Sequence, residues 1–166
     1  MMSTSSNLKE AFAGESQASQ KYRAFARKAE LDGKPNVARL FRTAADAENI
    51  HAQGHFRAMD GVGSTADNLQ AAIEGETHEF TTMYPPMLAE AQAEGHRAKT
   101  MFAFAMKAEA VHAELYKKAL AAVIQGTDLA EAGFYLCPVC GNIEFGAPPE
   151  TCPICGARGD KFIKAE

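Results

Sequence analysis

Glu48-x-x-His51 and Glu109-x-x-His112 stand 61 residues apart, and 33 residues before each of these glutamates lies another, Glu15 and Glu76. Gly14-Glu15-Ser16 with Gly75-Glu76-Thr77, Phe41 with Phe102 and Ala47 with Ala108 fall into the same register. A chain that keeps both gaps twice is a tandem pair of like units. Residues three apart on a helix are neighbours on one face, so each Glu-x-x-His pair sets a carboxylate beside an imidazole. In the first unit Glu15 lies about as far before Gly33 as Glu48 lies after it, and antiparallel packing brings both to one level. Gly95 divides Glu76 from Glu109 in the same way. The repeat therefore predicts two helical hairpins related by a pseudo-twofold axis, each offering Glu, Glu and His.

The intervening residues agree. From Leu8 to Gln125 the chain is rich in Ala, Glu, Gln, Lys, Arg and Met and poor in β-branched residues, a composition that favours helix. Breaks are expected at Asp32-Gly33-Lys34-Pro35, across Asp60 to Asp67 with N-caps available from Ser64 to Asn68, near Glu94-Gly95, and at Gly126-Thr127-Asp128, giving four long helices. Met83-Tyr84-Pro85-Pro86 should kink or interrupt the third, because proline removes a helix donor and crowds the preceding turn. Any one of these glutamates or histidines, taken alone, is better read as a solvated charge or a core histidine. A surface charge face, however, has no reason to repeat the same gaps, and four carboxylates inside a bundle are strongly unfavourable without cations between them. Six inward ligands, four Glu and two His, match the di-iron arrangement of ferritin-like bundles.

Glu79 breaks the symmetry: one turn after Glu76, it aligns with Ala18 of the first unit. A seventh carboxylate suggests an iron that changes partners with oxidation state, the alternative being a solvent-facing helix charge. Tyr22, seven residues after Glu15, and Tyr84, at the proline pair, could orient a ligand or bound peroxide, or simply pack in the core. His55 aligns with Tyr116 and suits packing beside the site rather than ligation, while His78 and His96 read as surface or turn residues. Gly14 and Gly75 either admit solvent or peroxide or permit close helix packing.

All four cysteines lie in the last thirty residues, as Cys137-Pro-Val-Cys140-Gly and Cys152-Pro-Ile-Cys155-Gly. Two disulfides are the plain alternative, but paired Cys-x-x-Cys motifs in an intracellular chain more often hold a metal. Four thiolates make a closed tetrahedral site that suits structural zinc or a redox iron alike. Phe134, Tyr135, Phe145 and Phe162 are candidates to cover the sulfurs, or to form a small core of their own. A net charge of -4 and a pI near 5.8 argue against nucleic acid as a partner. No apolar run approaches the roughly 18 residues of a membrane span, and no signal peptide is visible, so a soluble cytoplasmic protein is expected.

Taken together, Gly-Glu15-Ser-Gln, Glu48-x-x-His51, Gly-Glu76-x-x-Glu79 followed by Met-Tyr84-Pro, Glu109-x-x-His112 and the Cys-Pro-x-Cys-Gly pair resemble the rubrerythrin family from about Leu8 to the C-terminus. The resemblance implies a mainly α chain: a ferritin-like di-iron four-helix bundle over residues 1–130, followed by a rubredoxin-like domain over 131–166 with one iron on Cys137, Cys140, Cys152 and Cys155. It implies a peroxidase that reduces hydrogen peroxide to water in oxidative-stress defence, taking electrons from NAD(P)H through a separate reductase or a rubredoxin. Glu15, Glu48, His51, Glu76, Glu79, Glu109 and His112 would bind the two non-haem irons, with Glu79 and His51 exchanging at one of them. Tyr22 and Tyr84 match tyrosines that stand beside the family's irons.

One departure bears on assembly. Helices two and three of a ferritin-like bundle run parallel, so their connection must travel back along the bundle. With ends near Asp60 and Asp67 it must cover about 32 Å at about 1.5 Å per residue, whereas the connection spans at most roughly 25 Å fully extended. Either the helix ends unwind or each bundle takes one hairpin from each of two subunits, and a homodimer with swapped helix pairs is expected.

Overall fold

The computed structural model describes residues 3–130 and 133–165. It contains five α-helices: α1 (Thr4–Leu31), α2 (Pro35–Ala58), α3 (Thr65–His78), α4 (Tyr84–Ala93) and α5 (Ala98–Ile124). A three-stranded antiparallel sheet follows, of β1 (Gly133–Leu136), β2 (Ile143–Gly146) and β3 (Ile163–Lys164), in the order β2-β1-β3. The chain divides into two compact units, Met1–Gly63 and Ser64–Glu166.

In the first unit α1 and α2 form a hairpin. Its turn is closed by Lys34 N–H donating to the Ala29 carbonyl, with Gly33 at φ +69° and Pro35 opening α2 where no helix donor is needed. The buried seam is made almost wholly of alanine: Ala26, Ala29, Ala38, Ala45 and Ala52, joined by Ser19, whose hydroxyl donates to the Ala45 carbonyl at 2.9 Å. Larger apolar groups lie outside that seam. Tyr22, Phe25 and Phe41 cluster with ring centroids 5.6–6.2 Å apart, Phe12 stacks on Phe56, and Leu31, Leu40 and Ile50 are exposed.

In the second unit α3 opens with a reciprocal cap, Ser64 Oγ accepting from Asp67 N–H and the Asp67 carboxylate accepting from Ser64 N–H. Between α3 and α4 runs a π turn, Glu79–Met83, in which Tyr84 N–H donates to the Glu79 carbonyl five residues back. The proline pair accounts for it. Pro85 has no N–H to donate and its ring would clash with the Thr81 carbonyl in a continuous α-helix; one extra residue in the turn removes the conflict while the axis runs on. The expected interruption of the third helix is thus a local widening.

The cysteine loops follow β1 and β2. Gly141 and Gly156, at φ +83° and +78°, donate back to the Cys137 and Cys152 carbonyls, which folds each loop under its two sulfurs. Of the four aromatics expected either to cover the sulfurs or to form a small core, Phe162 packs on the sulfurs, while Phe134 and Phe145 pair across β1 and β2, since opposite register positions bring their rings to 5.1 Å. Phe104 of α5 joins Ile154, Ala157 and Phe162 around the sulfurs.

Candidate metal centre

The first unit brings Glu15 of α1 and Glu48 and His51 of α2 together, with their nearest ligand atoms within 4.8 Å of one another. His51 Nδ1 lies 3.0 Å from Glu48 Oε2 and 3.8 Å from Glu15 Oε1. The second unit does the same with Glu76 of α3 and Glu109 and His112 of α5. There His112 Nδ1 lies 2.7 Å from Glu109 Oε2 and 4.0 Å from Glu76 Oε2. Both histidines face their carboxylates through Nδ1, so the internal repeat is one of geometry as well as of spelling. In each trio one carboxylate oxygen lies about 3 Å from the histidine nitrogen, the spacing of ligands around a metal with bonds of about 2 Å, and the other lies 3.8–4.0 Å away.

The two trios differ in surroundings. His51 is 54% exposed and His112 17%. His112 also makes a contact that His51 lacks among the described residues: its Nε2 lies 2.9 Å from the Gly141 carbonyl oxygen. A carbonyl can only accept, so Nε2 carries a proton and Nδ1 is the nitrogen turned to the carboxylates, the one that can offer a lone pair to a metal. In the same unit burial, and then the nearby charge of Glu109, raise the Glu76 carboxyl above its ordinary range. Burial likewise raises the Tyr84 phenol, with the charges of Glu79, Glu109 and Glu76 adding to it, and its ring lies 6.0 Å from that of Phe102 on α5. Glu79 itself, the first residue of the π turn, is half-buried and stands outside the close trio. Tyr22 packs against Phe25 and Phe41.

The four sulfurs of Cys137, Cys140, Cys152 and Cys155 form the third group, three of the residues being buried. Cys137 Sγ to Cys155 Sγ and Cys140 Sγ to Cys152 Sγ are both 3.6 Å, close to the edge of about 3.8 Å in a tetrahedron with metal–sulfur bonds of about 2.3 Å. Burial pushes the Cys137 thiol up, but the N–H groups of Val139 and Cys140 and the neighbouring thiols outweigh it and bring it down to about 7. Burial raises Cys140 and Cys155. Four crowded thiols of such uneven acidity suit a cation that takes them all as thiolates.

Residues 6–120 match the rubrerythrin family model, and residues 135–163 match the model of the rubrerythrin rubredoxin-like domain. The chain belongs to the rubrerythrin family. It is 37% identical to rubrerythrin-2 of Clostridium acetobutylicum across 96% of this chain and 95% of that protein. It is 39% identical to nigerythrin of Nitratidesulfovibrio vulgaris across 96% of this chain and 85% of the relative. Solved nigerythrin structures in mixed-valence and fully reduced, all-ferrous states cover 99% of the chain at 36–37% identity, with TM-scores of 0.58 and 0.59. As a rubrerythrin the chain is a di-iron, peroxide-reducing oxidative-stress protein with a ferritin-like helical part and a rubredoxin-like iron on four cysteines. No helix among the described residues is long and apolar enough to cross a membrane. Sequence reasoning passed over Phe104 and the Gly141 carbonyl. The first had no motif around it, and a backbone acceptor is encoded by no side chain.

Proposed function

We propose that Glu15, Glu48 and His51 hold one iron and Glu76, Glu109 and His112 the other, that Glu79 is the seventh ligand and exchanges with His51, and that the four-cysteine iron of residues 131–166 supplies electrons to the bundle of residues 1–130. The observation that carries this reading is the doubled Glu, Glu, His trio with a four-sulfur site in one chain. Held by these residues, the irons would supply two electrons, and the carboxylates would pass the two protons with which hydrogen peroxide becomes two waters. Tyr84, whose phenol feels the charges of Glu79, Glu109 and Glu76, would donate its hydroxyl to peroxide or to a carboxylate. Tyr22 backs the first trio from two turns along α1. The outer donor is a rubredoxin or an NAD(P)H-dependent reductase, and the setting is the cytoplasm, where four cysteines with no disulfide among them persist.

We further propose a homodimer that swaps hairpins, with Glu15, Glu48 and His51 of one subunit completing a bundle with the second unit of the other. Two features of the chain support it. The first unit keeps a seam of alanines buried and leaves Leu31, Leu40 and Ile50 exposed, as a hairpin does when another hairpin covers it. From Glu48 to Ala58 and from Thr65 to Glu76 the helices rise about 31 Å in all, and the connection from Ala58 to Thr65 reaches at most roughly 25 Å.

Anaerobic stopped-flow mixing tests the reaction. In fully reduced protein one equivalent of peroxide should remove two of the three electrons held by the irons of each chain within the mixing experiment, and oxygen should do so far more slowly. Faster oxidation by oxygen would replace the peroxidase reading with ferrous-iron oxidation.

A further inference from the structure

The second unit carries its four-sulfur site directly against α5. Phe104 packs on the cluster of Cys137, Cys140 and Cys152, and two turns further along the same helix His112 Nε2 meets the Gly141 carbonyl at 2.9 Å. Gly141 is the residue after Cys140. From Cys140 Sγ the path therefore runs through side chain and backbone to the Gly141 oxygen, crosses one hydrogen bond, and continues through the imidazole to Nδ1, which faces Glu76 and Glu109. A hollow of about 240 Å³ beside the ring is lined mainly by apolar groups, Leu69, Leu115, Phe134 and Ile143 among them, with Tyr116 the one other polar side chain. His51, at the matching place of the repeat, is paired with Glu15 and Glu48 through Nδ1, and among the described residues no carbonyl meets its Nε2 as Gly141 meets that of His112.

We infer that the Cys140–Gly141 turn is the contact through which electrons pass from the four-cysteine iron to the iron pair, within one chain, and that they arrive at the iron held by Glu76, Glu109 and His112. In each transfer the four-cysteine iron goes from Fe(II) to Fe(III) and the receiving iron from Fe(III) to Fe(II), one electron with no bond made or broken. Gly141 is a positioning residue. Its carbonyl fixes the tautomer and ring angle of His112, so this histidine stays a ligand while the unpinned His51 is free to leave. The inference rests on the electron-relay reading above.

The test uses the full chain, loaded with iron for kinetics and with zinc at all sites for nitrogen-15 NMR. In the native chain His112 Nε2–H should be protected from exchange and coupled to the Gly141 carbonyl carbon. Phe104→Ala unseats the module, Phe104→Leu keeps an apolar filler, and Gly141→Ala strains the turn at φ +83°. Phe104→Ala and Gly141→Ala should lose the protected proton and slow reduction of the iron pair by the four-cysteine iron about tenfold or more, as loss of a ligand's outer partner does; Phe104→Leu should retain both. Iron content and the absorption of the four-cysteine iron should be native in all three. An unprotected Nε2–H in the native chain overturns the inference, and so does any variant in which proton protection and transfer rate part company, or Gly141→Ala reducing its irons at the native rate. No transfer at all in the native chain would sink the relay reading itself.

Discussion

Among single residues, Glu76 shows what the metal-free site costs the fold. Burial and Glu109 raise its carboxyl above the ordinary value of 4.5, so between that value and the raised one the folded chain binds a proton that the unfolded chain has released. Stability of the apoprotein therefore falls as pH rises through this window and is greater below it. Glu76→Gln should flatten that slope and raise the apoprotein's melting temperature at neutral pH while abolishing tight iron binding, which melts across pH with and without metal will show. Glu79 behaves oppositely. Because six ligands remain without it, Glu79→Ala should keep both irons and slow peroxide turnover by roughly tenfold to a hundredfold. A fully active variant with two irons would remove ligand exchange from the mechanism. Both trios were legible from spacing alone, since helix periodicity fixes which residues share a face. Their inequality was not legible: nothing in Glu48-x-x-His51 against Glu109-x-x-His112 tells that one histidine meets a backbone carbonyl and the other stands half in the open.

Secondary-structure elements show the same division between what side chains encode and what packing decides. Pro85-Pro86 announced an interruption, and the capping residues Ser64 and Asp67 announced the start of α3, because both act locally. That the interruption is a π turn depends on α3 and α4 both packing along α5, which forbids a sharp bend and leaves widening as the solution. Which of the two roles Phe134 and Phe145 take was left open for a related reason: their partners are set by strand register, which depends on where the cysteine loops close. The cysteine loops themselves are a separable device. Cys140→Ser should bleach the red Fe(III)–thiolate colour and reduce turnover with an external donor to near zero, while the prereduced iron pair still consumes one equivalent of peroxide. Survival of steady-state turnover in that variant would show that electrons reach the pair by another way.

At the level of the whole molecule the swapped dimer makes a prediction that a single chain does not. Glu48→Ala damages the trio of the first unit and Glu109→Ala that of the second, so each variant is inactive alone. Co-refolded as a swapped heterodimer, they give one intact site and one doubly damaged site, and activity should return to about a quarter of native if pairing is random, half the dimers being mixed and each carrying one good site. In an unswapped dimer every site keeps one lesion and recovery should be absent. The alanine seam of the first hairpin adds a thermodynamic consequence. Alanine loses no side-chain entropy on burial but removes little apolar area, so the contact between α1 and α2 contributes little beyond letting the helices approach closely. In the proposed swapped dimer the apolar side chains that the first hairpin leaves exposed are buried between chains, so the chain should obey mass action as it folds. Dilution should act as a denaturant: the midpoint of thermal unfolding should climb with protein concentration, and a midpoint that does not move would place the missing stability inside a single chain.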